Sequence, residues 1–250
     1  SDTEVLLHGY EQWGVDLLQR VRGMFTFVIW DKNKQELFGA RDHFGIKPFY
    51  YAKMNGTFMY ASEIKSLLRH PDFVKELNAE ALKPYMTFQY PAIGETFFKG
   101  VYKLPEGHYF TYRDGKMDIH RYYDEDFREG KQKLGELVNS IDQTVRDSVK
   151  AHQIADVEVG SFLSSGVDSS YVAAVARPQH TYSIGFGKGT YNESQQAGEL
   201  AELLKLNNTA ESLTDEEAFA AFPRIQWHLD EPDSNPSCVP LYFLSALAAK

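Results

Sequence analysis

The spacing of apolar residues changes twice along this chain, and each change marks a different kind of structure. From Glu4 to Leu18, the residues Val5, Leu6, Tyr10, Trp13, Leu17 and Leu18 fall at roughly helical spacing, with Asp2 or Thr3 placed to cap the helix. Met24–Trp30 is then a β-rich run that turns through Asp31–Lys34 into a second, Glu36–Arg41. Pro48–Lys53 and Thr57–Ala61 are aromatic-rich strands flanking Met54, Asn55 and Gly56, and Asn-Gly in that position is a strong hairpin signal. Ser62 and Asn78 stand as caps for two short helices, and Gly107–Tyr112 predicts a further strand ending in the turn Arg113–Lys116. The first half therefore reads as α plus antiparallel β.

Between Asp124 and Lys133 the composition becomes strongly polar, which predicts a linker and leaves residues 1–123 and 134–250 as separate domains. Beyond it Leu134, Val138, Ile141, Val145 and Val149 recur at steps of three and four, the pattern of an amphipathic helix. Val157–Leu163 alternates as a strand, Tyr171–Ala176 continues as a helix, Thr181–Phe186 is a second strand, and another helix runs through Ala197, Leu200, Ala201 and Leu204. Strands alternating with helices predict a parallel sheet, whose ligands sit beyond the carboxyl ends of the strands. The cluster Ser164, Ser165, Gly166, Asp168, Ser169 and Ser170 falls at such an end, between strand and helix. Small residues there let an anion, a phosphate above all, approach the open N–H groups of the first helical turn. An ordinary Ser/Asp helix cap is the other reading of the same residues.

The 250 residues suffice for one large domain or two of ordinary size, and 43% apolar with 24% charged residues is the balance of a soluble globular protein. The net charge is -9, with no basic cluster longer than Arg20-Val21-Arg22 or Lys131-Gln132-Lys133, so nucleic acid is not expected as a partner. No apolar run approaches the roughly 20 residues that cross a bilayer, and the polar start Ser1–Glu4 does not read as a signal peptide. A single cysteine, Cys238, excludes an internal disulfide and favours a reducing, cytoplasmic setting. His43, His108 and His228 lack the spacing of zinc ligands. With no initial Met and an end inside an apparent helix, the sequence reads as a fragment lacking both ends.

Leu163-Ser164-Ser165-Gly166-Val167-Asp168-Ser169-Ser170 resembles the pyrophosphate loop of ATP pyrophosphatases, with Ser165 where the commonest pattern has Gly. A side chain is tolerated at that position if its φ is negative. In the first half, Ser1–Leu7, Gly23-Met24-Phe25, Ala40–Tyr51, Ala61–Lys65 and Leu104–His108 resemble successive blocks of the class II glutamine amidotransferase domain. Asp230-Glu231-Pro232-Asp233-Ser234-Asn235-Pro236-Ser237 and Pro240-Leu241-Tyr242 resemble a further segment of the glutamine-hydrolysing asparagine synthases, with Asn235 replacing an Asp. That family's layout is an amidotransferase domain followed by a pyrophosphate-loop domain. The resemblance implies an α/β fold class: an α+β, Ntn-type amidotransferase part with antiparallel sheets, then a parallel-sheet synthetase domain like the adenine nucleotide alpha hydrolases.

The resemblance also implies an activity and a set of residues. Glutamine is hydrolysed at an amino-terminal Cys that this chain does not contain, so the chain as it stands is expected to be inactive as a glutaminase. Ammonia then attacks β-aspartyl-AMP, made from aspartate and ATP with Mg²⁺, giving asparagine, AMP and pyrophosphate. Asp2 corresponds to the residue that holds the glutamine amino group. Phe162, Leu163, Ser164, Ser165, Gly166, Asp168, Ser169 and Ile184 correspond to the ATP site, with Asp168 and Asp233 as metal ligands. Asp168, Asp230 and Glu231 correspond to catalytic positions, the spacing leaving open which of Asp230, Glu231 and Asp233 assists at the acyl-adenylate or binds Mg²⁺, and Glu193 corresponds either to an acid near the active site or to a helix cap. Arg41 and Asp42 could form an active-site pair, but the resemblance implies a block that mainly shapes the sheet and the contact between domains, and Cys238 reads as a structural thiol. A homodimer through the amidotransferase half is implied as well. The rival within the same architecture is a relative that amidates another acyl group or closes a β-lactam ring.

Overall fold

The first helix, α1 (Asp2–Trp13), opens on a capping box: Ser1 Oγ accepts the Glu4 N–H while Glu4 reaches back to the Ser1 backbone. The cap is thus Ser1, one residue before the pair expected. Nor does the helix run on to Leu18, because Gly14 at φ 56° ends it and Gly14–Gln19 tightens into a 3₁₀ turn. The computed structural model describes residues 1–187 and 193–250. They divide into one unit of Ser1–Phe127 with Asp230–Pro232 and a second of Arg128–Leu229 with Asp233–Lys250.

Two antiparallel sheets build the first unit. β1 (Thr26–Asp31) and β2 (Glu36–Arg41) are followed by β3 (Tyr50–Met54) and β4 (Thr57–Ala61), then by helices α2 (Ile64–Leu67) and α3 (Leu82–Phe88). β5 (Val101–Lys103), β6 (His108–Arg113) and β7 (Lys116–Arg121) complete it. The sheets have the orders β1-β2-β6-β7 and β4-β3-β5. Asn55 and Gly56 take φ values of 51° and 83° at the tip of the β3–β4 hairpin, the left-handed pair that a two-residue primed turn requires. Asn78 caps a 3₁₀ turn, Ala79–Ala81, by accepting the Glu80 N–H, as expected of a cap. Ser62 does not cap α2, whose N-cap residue Glu63 makes no side-chain capping bond either.

Leu18, Ile29, Phe38 and Ala40 form one buried cluster, and Phe49, Leu104 and Phe110 another. Gly39 lies where a side chain would enter the second: an added Cβ would stand 2.3 Å from the Phe110 ring, which is wholly buried. Gly39→Ala is therefore expected to lower stability by about 1–3 kcal/mol through overpacking, read as a lower urea midpoint, and an unchanged midpoint would show that the ring can move aside. At the end of β2, Arg41 and Asp42 bind the backbone. The Arg41 guanidinium donates to the carbonyls of Gly45, Lys47 and Leu104, and the buried Asp42 carboxylate accepts N–H groups from Phe44, Ile46 and Lys47.

The second unit begins with the amphipathic helix α4 (Leu134–His152). β8 (Ser161–Phe162), α5 (Val167–Ala176), β9 (His180–Phe186), α6 (Glu193–Leu204) and β10 (Asn207–Leu213) then alternate, followed by α7 (Asp215–Leu229) and α8 (Cys238–Ala248). The three strands are parallel in the order β10-β9-β8. Leu163, Ala173, Ala197 and Ala201 form the buried cluster of α5, α6 and the sheet, where alanines allow close approach. The strand expected over Val157–Leu163 is paired only at Ser161 and Phe162, and Val157 is 77% exposed. Alternation alone cannot make a strand of residues that find no ladder partner. Glu193, expected as an acid near the active site or as a helix cap, is the first residue of α6.

Candidate functional site

Residues 163–166 join the end of β8 to the start of α5, so the Ser-Gly-Asp cluster occupies the carboxyl end of the parallel sheet. Ser164 and Ser169 hydroxyls lie 2.8 Å apart, and Ser164 Oγ accepts the Gly166 N–H at 3.1 Å. The turn is thereby held in shape by its own side chains. Gly166 has φ -68° and Ser165 is not among the residues with positive φ, so a side chain at 165 imposes no backbone strain. As first residues of α5, Val167 and Asp168 carry N–H groups with no intrahelical acceptor, and the helix dipole adds positive potential there. Asp168 is exposed and makes no hydrogen bond or ion pair among the described residues.

Around the turn, Leu163 is 3% exposed and Phe162 39%, so one anchors the strand and the other presents an apolar face to solvent. Ile184, in the middle strand, is partly exposed. Asp233 belongs to the same unit; among the described residues its carboxylate accepts the Asn235 N–H, at 2.8 Å, and no other, and it lines a cavity of about 380 Å³ with Phe186 at the end of β9. Cys238 lines this cavity too, and burial, then the Asp233 charge, push its thiol above the usual range, which suits a structural thiol and not a nucleophile. A Mg²⁺ ion is commonly held by one or two carboxylates plus substrate phosphates. Asp168 offers a hard oxygen donor beside open amides and fits that requirement. No group of three or more His, Cys, Asp or Glu is gathered as a metal site among the described residues.

Asp230 and Glu231 stand elsewhere. With Pro232 they form part of the first unit, and both carboxylates are fully engaged there. Asp230, whose side chain is 5% exposed, accepts the Ile64 N–H at 2.6 Å and pairs with Lys65 Nζ at 2.8 Å. It is therefore the cap that α2 otherwise lacks. Burial by itself would lower the Lys65 pKa, but hydrogen bonds to Asp230 and Glu63 outweigh it and hold the ammonium above its ordinary value. Glu231, 7% exposed, accepts the Phe97 N–H and pairs with Lys103 Nζ at 2.6 Å. Tyr50 feels both acids: burial first, then the charges of Glu231 and Asp230, push its hydroxyl up to about 12. Asp2 sits in the first turn of α1, exposed, with Oδ1 accepting the Thr3 N–H at 2.8 Å. The residues that sequence reasoning missed are Lys65 and Lys103, the partners of Asp230 and Glu231, and the buried hydroxyls Thr181 and Ser183 beneath the turn.

A strand, a Ser- and Gly-rich turn and a helix at the carboxyl end of a parallel sheet, preceded in the chain by a unit of two antiparallel sheets, define a two-part protein of the α/β class. Comparison with known proteins narrows this. Residues 1–123 match the glutamine amidotransferase domain family and residues 140–250 the asparagine synthase family. The chain belongs to the family that joins these two domains in this order. It is 40% identical over its whole length to asparagine synthetase [glutamine-hydrolyzing] 1 of Bacillus subtilis, and 38% identical over its whole length to a putative asparagine synthetase [glutamine-hydrolyzing] of Mycobacterium bovis. The chain spans 40% of the length of each of these relatives. Among solved structures, the glutamine phosphoribosylpyrophosphate amidotransferase of B. subtilis aligns over 84% of this chain and 39% of that one, at 16% identity and a TM-score of 0.32, too low to bear on the fold.

Proposed function

We propose that this chain is part of a cytoplasmic, glutamine-dependent asparagine synthetase whose second unit activates aspartate with ATP. The observation that supports it best is the turn at 164–169, set at the carboxyl end of a parallel sheet inside the asparagine synthase match. In this reading the aspartate β-carboxylate attacks the α-phosphorus of ATP, pyrophosphate leaves, and ammonia displaces AMP from the acyl-adenylate. The first-turn amides of α5 and the hydroxyls of Ser164, Ser165 and Ser169 receive the departing pyrophosphate, where negative charge grows. Asp168 would hold Mg²⁺, with Asp233 as the second candidate, and the ion would neutralise phosphate charge. Phe162 and Leu163 support the adenosine, and the Ile184 backbone meets the base. Asp2 would bind the amino group of glutamine in the first unit. Asp230 and Glu231, with their oxygens spent on lysines and backbone amides, are assigned to positioning and not to contact with substrate. A homodimer formed through the amidotransferase unit belongs to the same reading.

The test is the full-length protein supplied with aspartate, Mg-ATP and ammonium, followed for AMP and asparagine. Equal amounts of the two products are expected. Formation of neither overturns the proposal, and AMP formed only with a different carboxylate moves the protein to the acyl-amidating relatives.

A further inference from the structure

The ladder between β8 and β9 stops one residue early. Ser161 faces Thr181 and Phe162 faces Tyr182, and the Leu163 N–H still donates to the Tyr182 carbonyl at 2.8 Å. In a parallel ladder the next bond would run from the Ile184 N–H to the Leu163 carbonyl. No such bond is present among the described residues. The Leu163 carbonyl is instead taken by the Ser183 hydroxyl, at 2.8 Å, with Ser183 only 1% exposed.

That hydroxyl has one proton and two acceptors in reach, the other being Asn208 Oδ1 at 3.1 Å. Thr181, wholly buried, donates to the same Asn208 oxygen at 2.9 Å, against 3.3 Å to its alternative, the Asn207 carbonyl. With Asn208 served by Thr181, the Ser183 proton is free for Leu163. The Ile184 N–H, pointing toward β8 by the alternation of the strand, is then left as an open donor at the carboxyl end of the sheet. An open, part-buried donor beside a phosphate-receptive turn suits an acceptor on the ligand.

We infer that Ser183 is a positioning residue: by holding the Leu163 carbonyl it keeps the Ile184 N–H available to a ring nitrogen of the nucleotide base. This rests on the ATP-binding reading. The experiment measures binding of ATP and of 1-deaza-ATP, in which carbon replaces an acceptor nitrogen, to the full-length protein and to Ser183→Ala. The wild type should prefer ATP by about five- to tenfold, the worth of one hydrogen bond. In Ser183→Ala the Ile184 N–H can close onto Leu163, and the preference should fall below about twofold; Ser183→Cys, a weaker donor of similar shape, should fall between. Hydrogen exchange supplies a readout on the wild type alone: the Ile184 amide should exchange fast without nucleotide and slow when ATP binds. An undiminished preference in Ser183→Ala, or an Ile184 amide protected without nucleotide, overturns the inference while leaving ATP binding intact. Failure of the wild type to bind ATP overturns both readings.

Discussion

Asp230→Ala is expected to be among the most destabilising single substitutions in the first unit, at about 2–4 kcal/mol. Removing one partner from a buried ion pair costs about 3–5 kcal/mol when the other is left uncompensated; Lys65 keeps Glu63, which lowers the figure, and loss of the α2 cap alone would account for only about 1. Asp230 is buried against Lys65 and the Ile64 amide, so its removal takes the nearer carboxylate from an ammonium and the acceptor from an N–H together. Asp230→Asn separates the two contributions, because the amide oxygen can still accept from Ile64 while Lys65 loses the Asp230 charge and keeps its ion pair with Glu63. Urea denaturation of the full-length protein, combined with hydrogen exchange at Ile64, measures both. In Asp230→Ala the Ile64 amide should lose protection; Lys65→Ala should cost a comparable amount, and the double substitution less than the sum. A change under about 0.5 kcal/mol, with Ile64 still protected, would return Asp230 to the reading as a substrate-facing acid.

This ion pair also shows where a sequence stops being readable. The hairpin at Asn55-Gly56 and the strand-turn-helix at 161–170 were legible because each depends on neighbours in the chain: a left-handed pair at a tip, and small residues between an alternating and a helical segment. Asp230 and Ile64 are separated by 166 residues, and nothing in Ile64-Lys65-Ser66-Leu67 announces that its cap comes from so far away. A local rule therefore chose Ser62. Gly14 misled in another way, since its neighbours on both sides fit one apolar stripe while its own φ of 56° ended the helix. β5, β7 and β10 went unread: β5 spans three residues, and β7 and β10 carry mostly polar side chains whose burial pattern does not alternate cleanly. Their strand character comes from β3, β6 and β9, the strands they pair with. In the candidate site the charged residues were visible in the sequence, whereas what each charge is bound to was not. The same acidic segment thus splits into two engaged carboxylates at 230 and 231 and a nearly free one at 233.

Asp168→Asn should abolish most of the ATP-dependent reaction while leaving the fold untouched, the reverse of the Asp230 result. Asp168 is exposed and unpartnered among the described residues, so its contribution to stability is limited to a charge at a helix N-terminus, about 0.3–1 kcal/mol. Asparagine keeps the size, and Asp168 makes no side-chain capping bond that could be lost, which places the expected stability change within about 0.5 kcal/mol. The charge matters far more to the reaction as proposed. Loss of a carboxylate that holds Mg²⁺ against the phosphates, like loss of one preorganised donor, is expected to lower AMP formation by about 10²- to 10³-fold. The Mg²⁺ concentration needed for half-maximal rate should rise as well, because the remaining amides and hydroxyls of the turn are neutral donors and cannot replace an anionic ligand. Measuring AMP release against Mg²⁺ in the full-length protein, with the unfolding midpoint as control, separates the two effects. A variant with normal stability and a normal rate at every Mg²⁺ concentration would remove Asp168 from the metal site and leave the turn as a helix cap of the ordinary kind.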